Sequence, residues 1–144
     1  MKFMQSTQSA SKNPVVWCGD LNVAHKAYDV HNDGAKHLAK QAGTTPQERR
    51  GFDEQLGAGF FDAFRHVHGE DAKGHYSYWS QRAFNRAPNK GLRLDYYICS
   101  EDMAVGKGEP SGDKVFVVRD TYMLPEVTGS DHAPVVGIFE CDQK

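Results

Sequence analysis

Val15-Val16-Trp17-Cys18-Gly19-Asp20-Leu21-Asn22 is the stretch whose reading decides the fold. Four apolar residues between Pro14 and Gly19 predict a short, fully buried strand, and the chain turns polar where such a strand would end. Strand side chains alternate, so Asp20 and Asn22 leave that end on one side while Leu21 points back into the core. A carboxylate and a carboxamide held at the C-terminal edge of a strand suit the handling of a phosphate or a metal ion. A plain polar turn after a strand would carry the same letters.

The surrounding chain has 144 residues, 39% of them hydrophobic and 25% charged, which is enough apolar material for the core of one domain. A net charge of −2 gives no global field for nucleic acid, so such binding would fall to a local basic patch. Residues 1–13 are polar and rich in Ser, Gln and Lys, and read as a polar N-terminal segment or helix remnant ahead of residues 14–144. They lack the apolar segment of a signal peptide, and no run in the chain is long enough to span a membrane. Cys18, Cys99 and Cys141 are widely spaced, and two lie in apolar runs. That usage predicts buried thiols in a reducing compartment, without a disulfide frame or zinc knuckle.

Residues 23–34 mix turn formers with charges and read as a surface loop. His25, His31 and His37 invite a metal reading, but a spacing of six puts them on no common helical face, which favours a solvated loop. Thr45-Pro46-Gln47-Glu48 predicts a helix start, with Thr45 as N-cap, Pro46 at the first helical position and Glu48 closing the capping box. Phe52 and Leu56 then face the core, and Gly57 or Gly59 ends the helix. Three phenylalanines around Asp62 predict packing about one hydrogen-bonded carboxylate.

The alternating run Tyr76-Ser77-Tyr78-Trp79-Ser80 predicts a strand. Residues 81–91 form a basic loop with one aromatic and no acid. Such a loop either presses Arg82, Arg86 and Lys90 onto phosphates, wedges a side chain into a groove, or is a solvated connector. In the next predicted strand, residues 92–99, Leu92, Leu94, Tyr96 and Ile98 share one side. Asp95 sits mid-strand on the other, where an ionised carboxylate needs a His or Arg partner. Residues 100–113 are a polar, Gly-rich excursion, residues 115–118 a short strand, and residues 129–134 a tight loop carrying Asp131-His132 into a last buried strand. Five strands, one helix and several long loops make an α/β pattern without regular βαβ alternation.

Four motifs carry a family likeness: Gly19-Asp20-Leu21-Asn22, Thr45-Pro46-Gln47-Glu48-Arg49, Leu92-Arg93-Leu94-Asp95-Tyr96 and Gly129-Ser130-Asp131-His132-Ala133-Pro134. Together they resemble the C-terminal half of an exonuclease III-type apurinic/apyrimidinic (AP) endonuclease, within the endonuclease/exonuclease/phosphatase superfamily. The Asp-x-Asn and Ser-Asp-His signals belong to the whole superfamily. The Thr-Pro-Gln-Glu-Arg helix start and the Trp-Ser strand before the basic loop narrow the likeness to its DNA-repair branch. The fold this implies is a DNase I-like α/β sandwich, of which residues 14–144 would be the C-terminal half, one mainly antiparallel sheet with flanking helices.

The resemblance implies hydrolysis of the DNA backbone 5′ to an abasic site, assisted by Mg²⁺ or Mn²⁺, with 3′-5′ exonuclease or 3′-phosphodiesterase activity compatible with the same site. By analogy Asp20 would orient and deprotonate the water, Asn22 would hold it or bond the phosphoryl oxygen, and His132 would contact the phosphate with Asp95 fixing its orientation. Asp131 would ligate the metal, and Asp20, Asn22 and His132 would complete the implied metal set. An apolar abasic-site pocket would come from Tyr78 or Trp79 with Leu92 and Leu94, and the loop bearing Arg82, Arg86 and Lys90 would enter duplex DNA.

In the family an N-terminal half supplies a metal-ligating Glu, an early Asn and Asp, a Tyr on the phosphate, and the second sheet; no residue here matches those roles. The chain is therefore expected to need that half, from a longer chain or a second polypeptide, to expose a large apolar face without it, and to be weak or inactive alone. A repair role would place it in the nucleus, with the mitochondrion or cytoplasm as alternatives. Two other readings share the motifs: a superfamily phosphatase acting on a small phosphoester, and a non-catalytic half-domain that binds DNA or a partner through its exposed sheet.

Overall fold

A computed structural model describes residues 2–11, 13–104 and 114–143. Its elements are α1 (Lys2–Ser11), β1 (Val16–Asp20), α2 (Pro46–Leu56), β2 (Phe60–Asp62), α3 (Ala63–His68), β3 (Asp95–Ser100), β4 (Lys114–Met123) and β5 (Val135–Gln143). Strand β3 is the centre of a three-stranded antiparallel sheet in the order β1-β3-β2, and β4 pairs with β5 in a second antiparallel ladder. The α/β class with antiparallel sheets is thus as expected, with the pairing split over two ladders.

Alternation along β3 explains the layering. Tyr96 and Ile98 pack with Met4 of α1, Phe52 of α2 and Phe60. Cys99 and, partly, Tyr97 face the other way, onto Ala63 of α3, Val118 of β4 and Phe139 of β5. Both faces of β3 are covered in this way. A Cβ on Gly137 would lie 3.0 Å from the Tyr97 ring and 2.8 Å from that of Phe139, so the bare backbone is what lets β5 close on β3. The large exposed apolar face expected of a lone sheet is not seen among the described residues. Their exposed large apolar side chains are spread over α1 (Phe3), β1 (Val16), loops (Tyr28, Phe84, Val127) and the β4–β5 ladder (Tyr122, Ile138).

Helix α2 forms as its sequence predicts. Thr45 Oγ1 accepts from Glu48 N, Glu48 Oε2 accepts from Thr45 N at 3.0 Å, Phe52 is buried, and Gly57 caps the end. The Thr45 hydroxyl, bonded to the Glu48 carboxylate, holds that group below its ordinary pKa. Asp62 caps α3, accepting from Phe64 N at 3.0 Å and Arg65 N at 3.4 Å, in line with the single hydrogen-bonded carboxylate expected there.

Elsewhere the fold departs from the sequence reading. The N-terminal segment takes the helical one of its two expected forms, but as a packed element: it docks Met4 into the core and bonds Gln5 Nε2 to Ala58 O at 3.1 Å. Strand β1 is an edge strand whose residues are mostly exposed, because only β3 flanks it, and Leu21 past its end is half-buried against the core. Cys18 and Cys141 are exposed thiols, and only Cys99 is buried, where burial pushes its pKa up to about 12. Residues 76–80 join the fold through isolated bridges, Tyr78 to Leu92 and Tyr78 to His132, and make no strand. The excursion over residues 100–113 lies outside the described residues from 105 on.

The loop over residues 23–34 is the largest departure. Ala24, His25, Asp29 and Val30 are buried in it. Asp29 pairs with Arg65 and, at 2.7 Å, with Arg93 Nε; Arg93 in turn reaches Asp62 Oδ2 at 2.5 Å. Arg93 is 0% exposed and its guanidinium lies 4.4 Å from the centre of the Tyr96 ring. Burial alone would favour neutral Asp29, but Arg93 and Arg65 outweigh it and hold the carboxyl below its ordinary pKa. A charge in mid-loop reads as solvated unless its partner, here 64 positions on, is known to be adjacent.

Candidate active site

The last residue of β1 and the first of β3 lie opposite each other, so Asp20 faces Asp95 across the ladder. Two carboxylates in such register repel. His132 stands between them: its Nδ1 is 2.8 Å from Asp95 Oδ2 and its Nε2 is 4.0 Å from Asp20 Oδ2. The first distance is a hydrogen bond, which fixes the tautomer with the proton on Nδ1 when the ring is neutral. The second is too long for one and leaves Nε2 open toward a ligand oxygen that also reaches Asp20.

Backbone placement makes this arrangement rigid. Leu21 N bonds Leu94 O at 2.9 Å, extending the ladder by one step, and Asp20 Oδ1 accepts from Asn22 N at 2.8 Å. Asn22 is exposed with φ +52°, a left-handed conformation that Asn tolerates better than most residues. On the other side, Trp79 N donates to Asp131 O at 2.9 Å and Ala133 N to Ser77 O at 2.7 Å, so the Asp131-His132 loop is laid along residues 77–79. The Tyr78 ring lies 5.1 Å from that of His132. Asp20, Asp95 and His132 thus come together at one rim, while the Asp131 side chain has only Ser130 Oγ, at 3.5 Å, beside it.

Ser77 was not legible as part of this site. It is fully buried, and its hydroxyl oxygen accepts from Leu94 N at 2.9 Å and Asp95 N at 3.0 Å while its carbonyl holds Ala133. One side chain therefore ties the Asp95 strand to the His132 loop. The only sequence signal is a small hydroxyl residue amid aromatics.

The implied metal set is not gathered. Asp20 and Asp131 are hard oxygen donors of the right kind for Mg²⁺ or Mn²⁺. Yet no group of three or more His, Cys, Asp or Glu side chains among the described residues is placed to hold an ion. Asp131 Oδ1 has Ser130 Oγ at 3.5 Å, and one ring nitrogen of His132 is engaged by Asp95. Asp20 and Asp131 do not by themselves complete the coordination of a divalent ion.

The histidine trio divides. His25 is buried, stacked 4.5 Å from Phe52 with Nε2 2.7 Å from Asp53 Oδ1, and its pKa is lowered by that burial. His31 and His37 open onto a cleft of about 310 Å³ shared with Tyr78, Lys90 and Leu92. That cleft stands where the apolar abasic-site pocket was expected, and it is polar, lined also by Asn32, Gln41 and Asn85. Trp79 (2% exposed) and Leu94 (6%) are absent from its lining and serve the core.

The basic loop is built on Trp79, whose Nε1 donates to Asn89 Oδ1 at 3.1 Å. A Cβ on Gly91 would come within 2.6 Å of Trp79 Nε1, so the returning chain needs a glycine there. Arg86 lies 4.7 Å from the centre of the Trp79 ring and donates to the carbonyls of Pro125, Val127 and Ser130. It is a staple between two loops, whereas Arg82 and Lys90 are exposed.

The profile of the Endonuclease/Exonuclease/phosphatase family matches residues 5–132. The chain is 43% identical over 124 residues to the exodeoxyribonuclease of Bacillus subtilis (strain 168), covering 86% of this chain and 44% of that protein. It is 39% identical to the DNA repair nuclease APEX1 of Danio rerio, covering 87% and 36%. Among solved structures, the AP endonuclease LMAP from Leishmania major superposes with a TM-score of 0.72 at 34% identity, covering 90% of this chain and 35% of that one. The chain thus spans less than half the length of these relatives.

Proposed function

Because the chain belongs to the Endonuclease/Exonuclease/phosphatase family, we propose that it is the C-terminal half of an exonuclease III-type DNA-repair nuclease, which hydrolyses the phosphodiester 5′ to an abasic site. The observation that carries this reading is the position of His132, bonded to Asp95 at 2.8 Å with Nε2 open at 4.0 Å from Asp20. That geometry suits an in-line attack on phosphorus. Asp20 takes the proton of the attacking water, Asn22 orients that water, and His132, protonated on both nitrogens, donates through Nε2 to a phosphoryl oxygen while the P–O3′ bond breaks and the 3′ oxygen leaves as a hydroxyl with a proton from solvent. Asp95 holds the ring in place and stabilises its charge once protonated.

The relatives with which the chain aligns are named a DNA repair nuclease and an exodeoxyribonuclease, which supports DNA as the substrate class. Mg²⁺ or Mn²⁺ is the proposed cofactor and neutralises phosphoryl charge when bound. Asp131 and Asp20 are the oxygen donors this chain offers it, and further ligands come from the N-terminal half. The same reasoning makes the chain weak or inactive alone.

A labelled duplex with one tetrahydrofuran abasic analogue tests this. We expect nicking 5′ to the analogue in Mg²⁺ when the chain is mixed with the N-terminal portion of the Bacillus relative, and little without it. Binding without cleavage in the mixture would leave a non-catalytic DNA-binding half-domain. Hydrolysis of a small phosphoester in place of the duplex would make it a phosphatase.

A further inference from the structure

We infer that Phe84 is a stacking residue that reads an unstacked base beside the cleaved phosphate; the inference rests on the proposed nuclease function and names what that site discriminates. Among the described residues Phe84 is the most exposed large apolar side chain, at 85%. Its backbone is left-handed, φ +52°, a region that bulky residues rarely adopt. An aromatic ring held in open water on an unfavourable backbone is costly twice over unless something occupies it.

The exposure does not come from a loose loop. Phe84 N bonds Gln81 O at 3.1 Å, Asn85 N bonds Ser80 O at 3.2 Å, and Lys90 N bonds Asn85 O at 2.9 Å. Arg86 staples the same loop to the carbonyls of Pro125, Val127 and Ser130, and buried Trp79 supports it from below. The ring is held out on a fixed platform.

Its surroundings select the ligand. A cleft of about 340 Å³ runs from Phe84 past Asn85 and Ala87 to Ser130 and Asp131, the neighbour of His132. Arg82 and Lys90 of the same loop are exposed, and residues 81–91 contain no acid. A ligand that offers a flat apolar face and anionic charge together is a nucleotide of a strand whose bases are free to stack. With phosphates along Arg82 and Lys90, one base lies on the Phe84 ring while the adjoining phosphate reaches His132. Paired, stacked duplex offers no such face, so the contact favours DNA with a missing or displaced base.

Fluorescence anisotropy with the full chain tests this, using an intact duplex and one carrying a tetrahydrofuran abasic analogue flanked by 2-aminopurine. Phe84→Ala should weaken binding of the abasic duplex about fivefold to a hundredfold and abolish the quenching of 2-aminopurine, with intact-duplex binding changed less than twofold. Phe84→Trp should retain both. Phe84→Asn suits the left-handed backbone, so its expected loss of binding cannot come from a strained loop. Equal losses for both duplexes, or none for the abasic one, overturn the stacking role and leave the nuclease reading intact. Wild-type chain that binds neither duplex even when mixed with the N-terminal portion of the Bacillus relative overturns both.

Discussion

Replacing Ser77 by Ala removes one oxygen and nothing else, yet it strikes the link between the strand that carries Asp95 and the loop that carries His132. In the native chain that oxygen accepts from Leu94 N at 2.9 Å and Asp95 N at 3.0 Å. Leaving a buried donor unpaired costs about 1–3 kcal/mol. Leu94 is buried and its amide finds no water, while half-buried Asp95 recovers part of its loss. The sum is about 2–4 kcal/mol, which for a chain of 144 residues lowers the melting temperature by roughly 6–12 °C. Urea denaturation of the purified chain measures the loss directly. A second readout separates positioning from mere stability: the Nδ1 proton of His132, seen by NMR as a slowly exchanging signal, should broaden or exchange faster in the variant. A change in stability below about 0.5 kcal/mol would refute the reasoning, as would a full loss that leaves this proton untouched.

Further outcomes follow from the site and the core. In the nuclease reconstituted with its N-terminal half, Asp20→Asn should reduce nicking by about 10²–10⁴-fold with unchanged DNA affinity, measured by single-turnover gels and anisotropy. Asp95→Ala and His132→Ala should each be severe, and the double variant little worse than either; additive losses would speak against an Asp95–His132 unit. His25, whose pKa is lowered by burial, binds a proton more readily unfolded than folded. Its contribution to stability is complete above the ordinary value of 6.5 and is lost as pH falls through the lowered one, and His75 acts in the same direction. Melting curves between about pH 7 and pH 5 should therefore fall more steeply for the native chain than for His25→Gln, and parallel curves would contradict this.

Much of the molecule was legible because the signals are local. The Thr45 to Glu48 capping box needs only four residues to specify a helix start, and the alternation of Tyr96 and Ile98 against Tyr97 and Cys99 specifies a strand whatever it packs on. Asp95 is readable as a carboxylate in want of a His or Arg partner, and the family resemblance implies that the partner is His132. The opening stretch fared differently. Its apolar letters gave a strand, but whether that strand is buried depends on having neighbours on both sides, and β1 has only β3.

What the sequence determined by itself was therefore helix α2, the strands β1, β3, β4 and β5 in outline, and the candidate residues of the site, since these are written in short-range spacing and residue chemistry, whereas α3 and the absence of a strand over residues 76–80 were not. Tertiary structure alone decided that Asp29 is a buried ion-pair partner of Arg93, that Ser77 ties the two halves of the site together, that Arg86 is a staple and Phe84 the exposed ring. Each of these depends on which remote segment lies alongside. Burial and hydrogen-bond partners are properties of that neighbourhood, and the energy of a charged or polar side chain changes sign with it.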